Sequence, residues 1–327
     1  MAIHGNKISE ITINNTFLEH LSIGLQSKTK YISSRYMYDE IGDHLFRKIM
    51  NLPEYYLTGS EHEILKTQTK AIIQALGIKK NSFFQLIELG AGDGTKTKEL
   101  LKPLLAESYD FDYLPIDISQ NALNHLEFSL KKQLPKISVN PLQGDYFEVL
   151  SHIKESTHPK IILFLGSNLG NLEDDEAYDF LNQLSNCLTI NDKIFLGLDL
   201  VKSEAIVLPA YNDDQGITAS FNLNLLTRIN KEFNANFDIT YFKHQPEYNA
   251  QEGIARSFIV SKKPQEVYIE ALNKMIYFKK DEKIYTEISR KYNDTILSEI
   301  LEKTNLIISK KFLDKKKYFS DYVLTKE

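Results

Sequence analysis

A single cysteine, Cys187, occurs in 327 residues. No intrachain disulfide can form, so no covalent framework supports the fold. The eight histidines are scattered, with no paired ligand spacing beside that cysteine, and no metal site is expected. Long apolar runs are lacking: a stretch such as IILFL at 161–165 falls far short of the ~20 residues that span a bilayer. There is no surplus of positive charge. The formal net charge is −5 and the charged residues, a quarter of the chain, are well mixed, which argues against the basic footprint of a nucleic-acid binder. The opening segment MAIHGNKISEITINN has no apolar run behind its basic residue, so no secretory signal is read and a cytoplasmic location is expected. Internal repeats and low-complexity linkers are also missing. What remains is a globular composition, 42% hydrophobic, sufficient for one large core or two modest ones.

From about residue 64 to 200 the chain has a rhythm. Short apolar runs, FFQLIEL (83–89), FDYLPIDIS (111–119), a weaker ISVNPLQGD (137–145), KIILFLGS (160–167) and KIFLGLDL (193–200), read as strands. Helical patterns fall between them. One carries Leu100, Leu101 and Leu104; another begins at the capping residue Ser119 and shows Leu123, Leu126 and Leu130 on one face. A third, EDDEAYDFLNQLSNCL (173–188), is acidic in its first turn, as the helix dipole favours. Cys187 is read as packing on that helix. Five strand–helix alternations, with strands apolar on both faces, predict a parallel sheet covered by helices on both sides. The texture differs elsewhere. Residues 1–62 read as mainly helical with a Tyr-rich centre, 202–250 as helical, and the chain from Ile254 as strands. The run DKKKY (314–318) reads as a solvated hairpin tip.

The stretch ELGAGDGTKTK (88–98) sets Gly90, Gly92 and Gly94 directly after the first strand, behind Glu88. Glycines there make a tight turn that lets backbone approach a ligand, and in an open parallel sheet the ligand lies beyond the carboxyl ends of the strands. The pattern is not GxxxxGK[ST], which excludes a phosphate-cradling loop, and GAGDG fits GxGxxG poorly. Asp117 closes the second strand, where it can accept from ribose hydroxyls. Asp145, after the third, can accept from an adenine amino group, with Tyr146 or Phe147 packing on the ring. Lys96 can reach a carboxylate as a point cation. This set suits a nucleoside without phosphates, of the kind found in S-adenosylmethionine. Taken singly, each acid reads as a solvated loop residue and Lys96 as an exposed helix lysine.

At this point the sequence resembles the histidine-specific methyltransferase family, which forms the α-N-trimethylated histidine betaine of ergothioneine biosynthesis. The resemblance spans nearly the whole chain and rests on YDEIGDHLFRKIMNLPEYYLTGSE (38–61), ELGAGDGTKT (88–97), FLGSNLGNL (164–172), AYNDDQGITASFN (210–222) and YTEIS (285–289). It implies an α/β, class I SAM-dependent (Rossmann-like) fold with an inserted α+β substrate-binding domain. The corresponding division is 1–62 as the N-terminal part of the substrate domain, 63–201 as the methyltransferase domain, 202–286 as the inserted part, and 287–327 as strands completing the sheet. By motif, Tyr38, Gly90, Lys96, Asp117, Asp145 and Tyr146 hold the cofactor, with Glu88 and Gly92 from the same turn. Tyr55, Asn171 and Gly166 meet the amino acid's backbone groups, Tyr211 its carboxylate, and Glu287 with Ser289 the imidazole. Tyr38 and Asn171 stand nearest the chemistry. The implied partner is a small amino acid, with no nucleic acid, no membrane and a monomeric chain.

The chemistry makes these residue types sensible. Methyl transfer is an in-line displacement that needs an unprotonated amine and neither a metal nor a covalent intermediate. Positioning, worth about 7–11 kcal/mol at best, carries such a reaction. Tyrosines and an asparagine orient a carboxylate and an amine without a full positive charge beside the sulfonium. Water or a tyrosine oxygen is the proton acceptor to consider. Each residue has a blander role by itself: the tyrosines as core-edge aromatics, Asn171 as a helix cap, Glu287 as a strand-surface acid, Ser289 as a strand-end hydroxyl.

Three stretches depart from the family pattern. LTGSE replaces the usual PTRTE, so Leu57 and Gly59 stand for Pro and Arg. Ser257, in IARSFIVS, takes the place of a pocket-lining Met, with Arg256 the alternative by one residue. Asn168 stands where a hydroxyl residue is common. An N-methyltransferase of another amino acid or small amine is therefore the rival enzyme. A catalytically silent adenosylmethionine-binding module is the rival from another class; it would be signalled by loss of the cofactor acids or of Asn171, all of which are present. A dinucleotide oxidoreductase is disfavoured by the glycine spacing.

Overall fold

The protein is described by a computed structural model covering residues 3–144, 146–153, 156 and 158–327. The chain divides into two compact units, 1–55 with 203–288, and 56–202 with 289–327. The segment 56–62, assigned above to the N-terminal part of the substrate domain, belongs instead to the second unit, because one continuous helix, Tyr56–Ala75, carries it there.

The second unit is built on seven strands: β1 (Phe84–Leu89), β2 (Phe111–Asp117), β3 (Leu142–Gln143), β4 (Lys160–Phe164), β5 (Lys193–Asp199), β6 (Leu306–Leu313) and β7 (Phe319–Lys326). Their order is β6-β7-β5-β4-β1-β2-β3. β1 to β5 run parallel, and β7 is antiparallel to both β5 and β6. The weak strand expected over 137–145 shrinks to Leu142–Gln143, joined by an isolated bridge from Val139 to Tyr113. β1 ends at Leu89 as expected, and the other four expected strands end one to three residues early on their carboxyl sides, where the chain turns into loops. Helices Lys98–Ala106, Gln120–Gln133 and Asp174–Asn186 follow β1, β2 and β4. Ser119 caps the second of these by accepting from the Ala122 N–H at 3.1 Å. Ile87, Leu89, Ile116, Ile162, Phe164, Leu181, Leu184, Leu196 and Tyr322 form the core of one face, all at 2% exposure or less. Cys187 sits at the end of Asp174–Asn186, partly buried against that core. The order reverses between β1 and β4, so the crevice of the fold opens at the ends of those strands. In the β6–β7 hairpin tip, the Asp314 carboxylate accepts from the N–H groups of Lys316, Tyr318 and Phe319, and the lysines of 315–317 are exposed.

The first unit holds a sheet of Lys30–Tyr31, Lys283–Arg290, Ile254–Ser261 and Phe242–Asn249 in that order, and a separate hairpin of Gln265–Ile269 with Lys274–Phe278. Residues 242–249, expected to be helical, are a strand. Its polar sequence FKHQPEYN conceals the pattern, and Pro246 is tolerated because the strand lies at the sheet edge. The helix Ile217–Phe233 packs Phe221, Leu225, Ile229 and Phe233 against Phe17, Leu21 and Ile284.

Candidate active site

The turn after β1 needs all three glycines. Gly90, Gly92 and Gly94 have φ of 71°, 53° and 63°, the left-handed region that side chains disfavour. They are not equivalent. A Cβ on Gly90 would lie 2.7 Å from Tyr146 Oη and 2.8 Å from Asn168 Nδ2, and one on Gly94 would strike Leu126 at 2.3 Å. Gly92 faces open space, with no atom within 4 Å of that position. The turn is thus packed at its base and clear at its apex, where a ligand can lie against backbone.

Asp117, closing β2, reaches this apex. Its carboxylate accepts from the Gly92 N–H at 3.2 Å and the Ser119 N–H at 2.9 Å. Burial pushes its pKa up, and those backbone N–H groups pull against the shift. A half-buried carboxylate so placed retains lone pairs for hydroxyl donors. Glu88 behaves differently. It lies beneath the turn at 3% exposure, accepting from Thr97 Oγ1 at 2.6 Å and from the Tyr113 hydroxyl. It braces the loop from below, where the sequence reading had it touching the ligand. The cause is its position inside β1, facing helix Lys98–Ala106.

Tyr146 sets its hydroxyl against Gly90, while its ring packs edge-on against Phe164 and Phe180 at 6.0 and 6.2 Å. Phe147 likewise packs on Phe180, at 5.1 Å. Both rings are partly buried and pack against the edge of the core. Asp145 lies outside the described residues.

The loop after β4 carries Gly166, Ser167 and Asn171. Gly166 has φ 77°, and a Cβ there would sit 3.3 Å from Lys96 Nζ. Its N–H donates to both oxygens of Glu61, at 2.9 and 3.0 Å. Lys96 ion-pairs with the same carboxylate. Burial by itself would lower the Lys96 pKa, but the Glu61 carboxylate outweighs it and the ammonium is held above its ordinary value. Ser167 Oγ accepts from the Asp199 N–H at 3.0 Å, fixing this loop to the end of β5. Asn171 is exposed at the end of the short turn 168–171; it does not cap the next helix, which uses a Glu173–Glu176 capping box.

Ser289, 6% exposed, accepts from Lys291 Nζ at 2.8 Å, and Lys291 is ion-paired with Asp199 at 2.7 Å. Asp199 also accepts from the Tyr56 hydroxyl at 2.9 Å and pairs with Lys202 at 2.5 Å. Burial drives the Lys202 pKa down to about 8 against the pull of Asp199.

In the first unit, Tyr38 and Tyr55 flank Phe46, with ring centroids 5.5 and 6.3 Å away. Tyr211 is buried, and its carbonyl meets His244 Nε2 at 2.9 Å. Burial, partly countered by that contact, lowers the His244 pKa. Along Ile254–Ser261 the inward positions alternate. Ser257 points in at 2% exposure, its hydroxyl 3.5 Å from Glu287 Oε2, while Arg256 on the other face pairs with Glu252 at 2.9 Å. The strand's period therefore settles which of 256 and 257 faces Glu287.

Sequence reading missed Glu61, Tyr113, Asp199 and Lys291 among these contacts. Glu61 stands inside a quoted motif, but nothing in a sequence shows a glutamate to be fully buried. Among the described residues no group of three or more His, Cys, Asp or Glu is arranged to hold a metal, and no helix is long and apolar enough to cross a membrane.

The donor set fits an adenosyl sulfonium: a carboxylate at the β2 end for hydroxyls, bare backbone at Gly92, and an ammonium whose charge Glu61 already balances, leaving little to attract a polyphosphate. A parallel sheet extended by the antiparallel β6–β7 pair, with this turn after β1, defines a class I S-adenosylmethionine-dependent methyltransferase. Residues 17–326 match the family described as "Histidine-specific methyltransferase, SAM-dependent", and the chain belongs to that family. It is 32% identical over 280 residues to a histidine N-alpha-methyltransferase of Mycolicibacterium smegmatis, covering 85% of each chain. It is 33% identical over 269 residues to the protein of that name from Mycobacterium tuberculosis, covering 82% of each. Ergothioneine biosynthesis protein 1 of Schizosaccharomyces pombe is 29% identical over 313 residues, covering 94% of this chain and 40% of that one.

Proposed function

We propose that the protein transfers methyl groups from S-adenosylmethionine to the α-amino group of L-histidine, giving the Nα-trimethyl betaine hercynine. The observation that carries this reading is the family match over 17–326. The presence of Glu287 and Ser289 in the YTEIS segment supports it. S-adenosylmethionine, when bound, supplies an electrophilic methyl carbon. The chain's own residues do the rest by positioning. Asp117 takes the ribose hydroxyls, and the bare backbone at Gly92 admits the ligand closely. Tyr38, Lys96 and Tyr146 complete the cofactor side, with Asp145 assigned there by motif. Tyr55, Gly166 and Asn171 orient the amino group, and Tyr211 takes the substrate carboxylate. Glu287 accepts the imidazole N–H, and Ser257, whose hydroxyl faces it, steadies that carboxylate. Ser289 serves the other ring nitrogen. The amine must shed a proton before each transfer, so the site tolerates loss of its N–H donors as methyls accumulate. The acting form is a monomer in the cytoplasm, and the substrate domain combines the N-terminal helices with the segment following β5.

A second reading, N-methylation of another amino acid or small amine, draws on Ser257 where the family pattern has Met: a smaller, polar wall admits other side chains. Incubating the protein with S-adenosylmethionine and a panel of amino acids, then weighing the products, separates the two. One to three added methyls on histidine are expected. Histidine left unmodified while another amino acid gains methyls would establish the second reading. Glu287→Ala is expected to raise the KM for histidine strongly and leave cofactor affinity unchanged.

A further inference from the structure

Behind the cofactor loop lies a group of charges whose two carboxylates are shut off from solvent. Glu61 and Asp321 are both 0% exposed. They approach each other over Gly197 in β5: a Cβ on that residue would fall 2.0 Å from Glu61 Oε1 and 2.9 Å from Asp321 Oδ1. A glycine in a central strand marks such a close approach. Lys96 pairs with Glu61, and Gly166 donates its N–H to both Glu61 oxygens. Among the described residues, neither Asp321 oxygen receives an N–H or O–H. Two ionised carboxylates and one ammonium would leave a net buried charge, which is strongly unfavourable. One shared proton removes both difficulties. It neutralises the group, and it gives Asp321 a hydrogen bond to make, with the Glu61 carboxylate as acceptor.

We propose that Glu61 is the positioning residue of the cofactor side of the site: its ionised carboxylate holds the Lys96 ammonium and the Gly166 N–H in one geometry, and Asp321, carrying the proton, backs it from β7. The groups facing Asp321 agree. Burial raises its pKa first, the neighbouring Glu61 and Asp314 carboxylates raise it further, and only Lys96 opposes them. Lys96 in turn faces Glu61, Glu88 and Asp321. The arrangement explains how an ammonium can stand in a site for a sulfonium: its charge is already matched before the ligand arrives. It also couples the loop after β1 to the loop after β4, the two that flank the switch point of the sheet. This inference rests on the reading that these loops bind S-adenosylmethionine.

The test uses one chemical change at two places. Glu61→Gln and Asp321→Asn each replace a carboxyl by an amide of equal size. The amide imitates a neutral acid well and an ionised one poorly. Calorimetry with S-adenosylhomocysteine should show Kd raised by about tenfold or more in Glu61→Gln and by less than about threefold in Asp321→Asn. Lys96→Met should weaken binding like Glu61→Gln, and the double variant should be no worse than either alone, because the two side chains act as one unit. The infrared difference spectrum of wild type minus Asp321→Asn should contain a protonated-carboxyl band at about pH 8. Equal losses in the two amide variants, wild-type binding in Glu61→Gln, additive losses with Lys96→Met, or a carboxylate band in the difference spectrum would each overturn the inference. Failure of the wild-type protein to bind S-adenosylhomocysteine would instead overturn the cofactor reading beneath it. Should Glu61→Gln fold poorly, Asp321→Asn and its spectrum still decide where the proton sits.

Discussion

Lys291 Nζ donates to Ser289 Oγ at 2.8 Å while it pairs with Asp199 at 2.7 Å, and both charged side chains are fully buried. An ammonium only donates, so Ser289 Oγ must accept at this contact and directs its own hydrogen elsewhere. A serine oriented in this way suits a bare ring nitrogen, the role proposed for it above. Replacing Lys291 by Met removes this donor to Ser289 Oγ and leaves Asp199 with Lys202 and Tyr56. Steady-state kinetics should then show the KM for histidine raised by about tenfold. Binding of S-adenosylhomocysteine should be unchanged by calorimetry. An unaltered KM would remove Ser289 orientation from the specificity of the site.

Gly90 and Gly92 make a paired test of the turn. Gly90→Ala drives a methyl to 2.7 Å from Tyr146 Oη in a left-handed backbone. The melting temperature should fall, with a stability loss of about 1–3 kcal/mol from strain and overpacking. Gly92→Ala meets no protein atom within 4 Å, so its stability cost should stay near the ~1–2 kcal/mol of the left-handed conformation. Its added methyl occupies the ligand's face, and Kd for S-adenosylhomocysteine should rise by about tenfold or more. If Gly92→Ala binds as wild type does, the ligand lies elsewhere.

Asp117→Asn tests the β2 end. The amide nitrogen cannot accept, so one of the Gly92 and Ser119 N–H contacts and a hydroxyl contact to the ligand compete for one oxygen. Affinity for S-adenosylhomocysteine should drop about tenfold, equivalent to one charge-assisted hydrogen bond. Titration of the pure variant reads this directly, and an unaltered dissociation constant would refute the ribose assignment.

Glu88 gives a pH signature. Burial raises its pKa from 4.5 to about 7, against the pull of Thr97, Tyr113 and Lys96. The folded state therefore holds a proton that the unfolded chain releases between those values. Its contribution to stability is fully present below about pH 4.5 and is lost as pH rises through about 7, a decline of about 3 kcal/mol. Denaturant titrations at about pH 5 and about pH 8 should show this decline in the wild type. In Glu88→Gln the decline should be smaller by about that amount. Equal slopes in the two proteins would place an ionised Glu88 in the fold throughout.

Much of the second unit was legible because its strands are short, apolar on both faces and closed by glycine or an acid. β1, β2, β4 and β5 were readable within a few residues, as were Ser119 as a cap and the acidic start of Asp174–Asn186. The strand Phe242–Asn249 was not, because an edge strand needs little apolar content and its Pro246 mimics a breaker. The site was legible where backbone demanded a residue type. Gly90, Gly92 and Asp117 follow from a turn and a strand end. The burial of Glu88 under the turn was not readable, because burial depends on residues distant along the chain.

The sequence by itself determined the alternation of strands and helices over about 64–200, the glycine turn and the family, since these depend on local period and on residue types at fixed spacing. Only the tertiary structure decided how the charges pair. Glu61, Lys96, Gly197 and Asp321 come from four separate segments, and Tyr56, Asp199 and the Ser289–Lys291 pair from three. Their protonation and orientation depend on burial and on neighbours distant along the chain, and neither quantity exists until the sheet has closed around them.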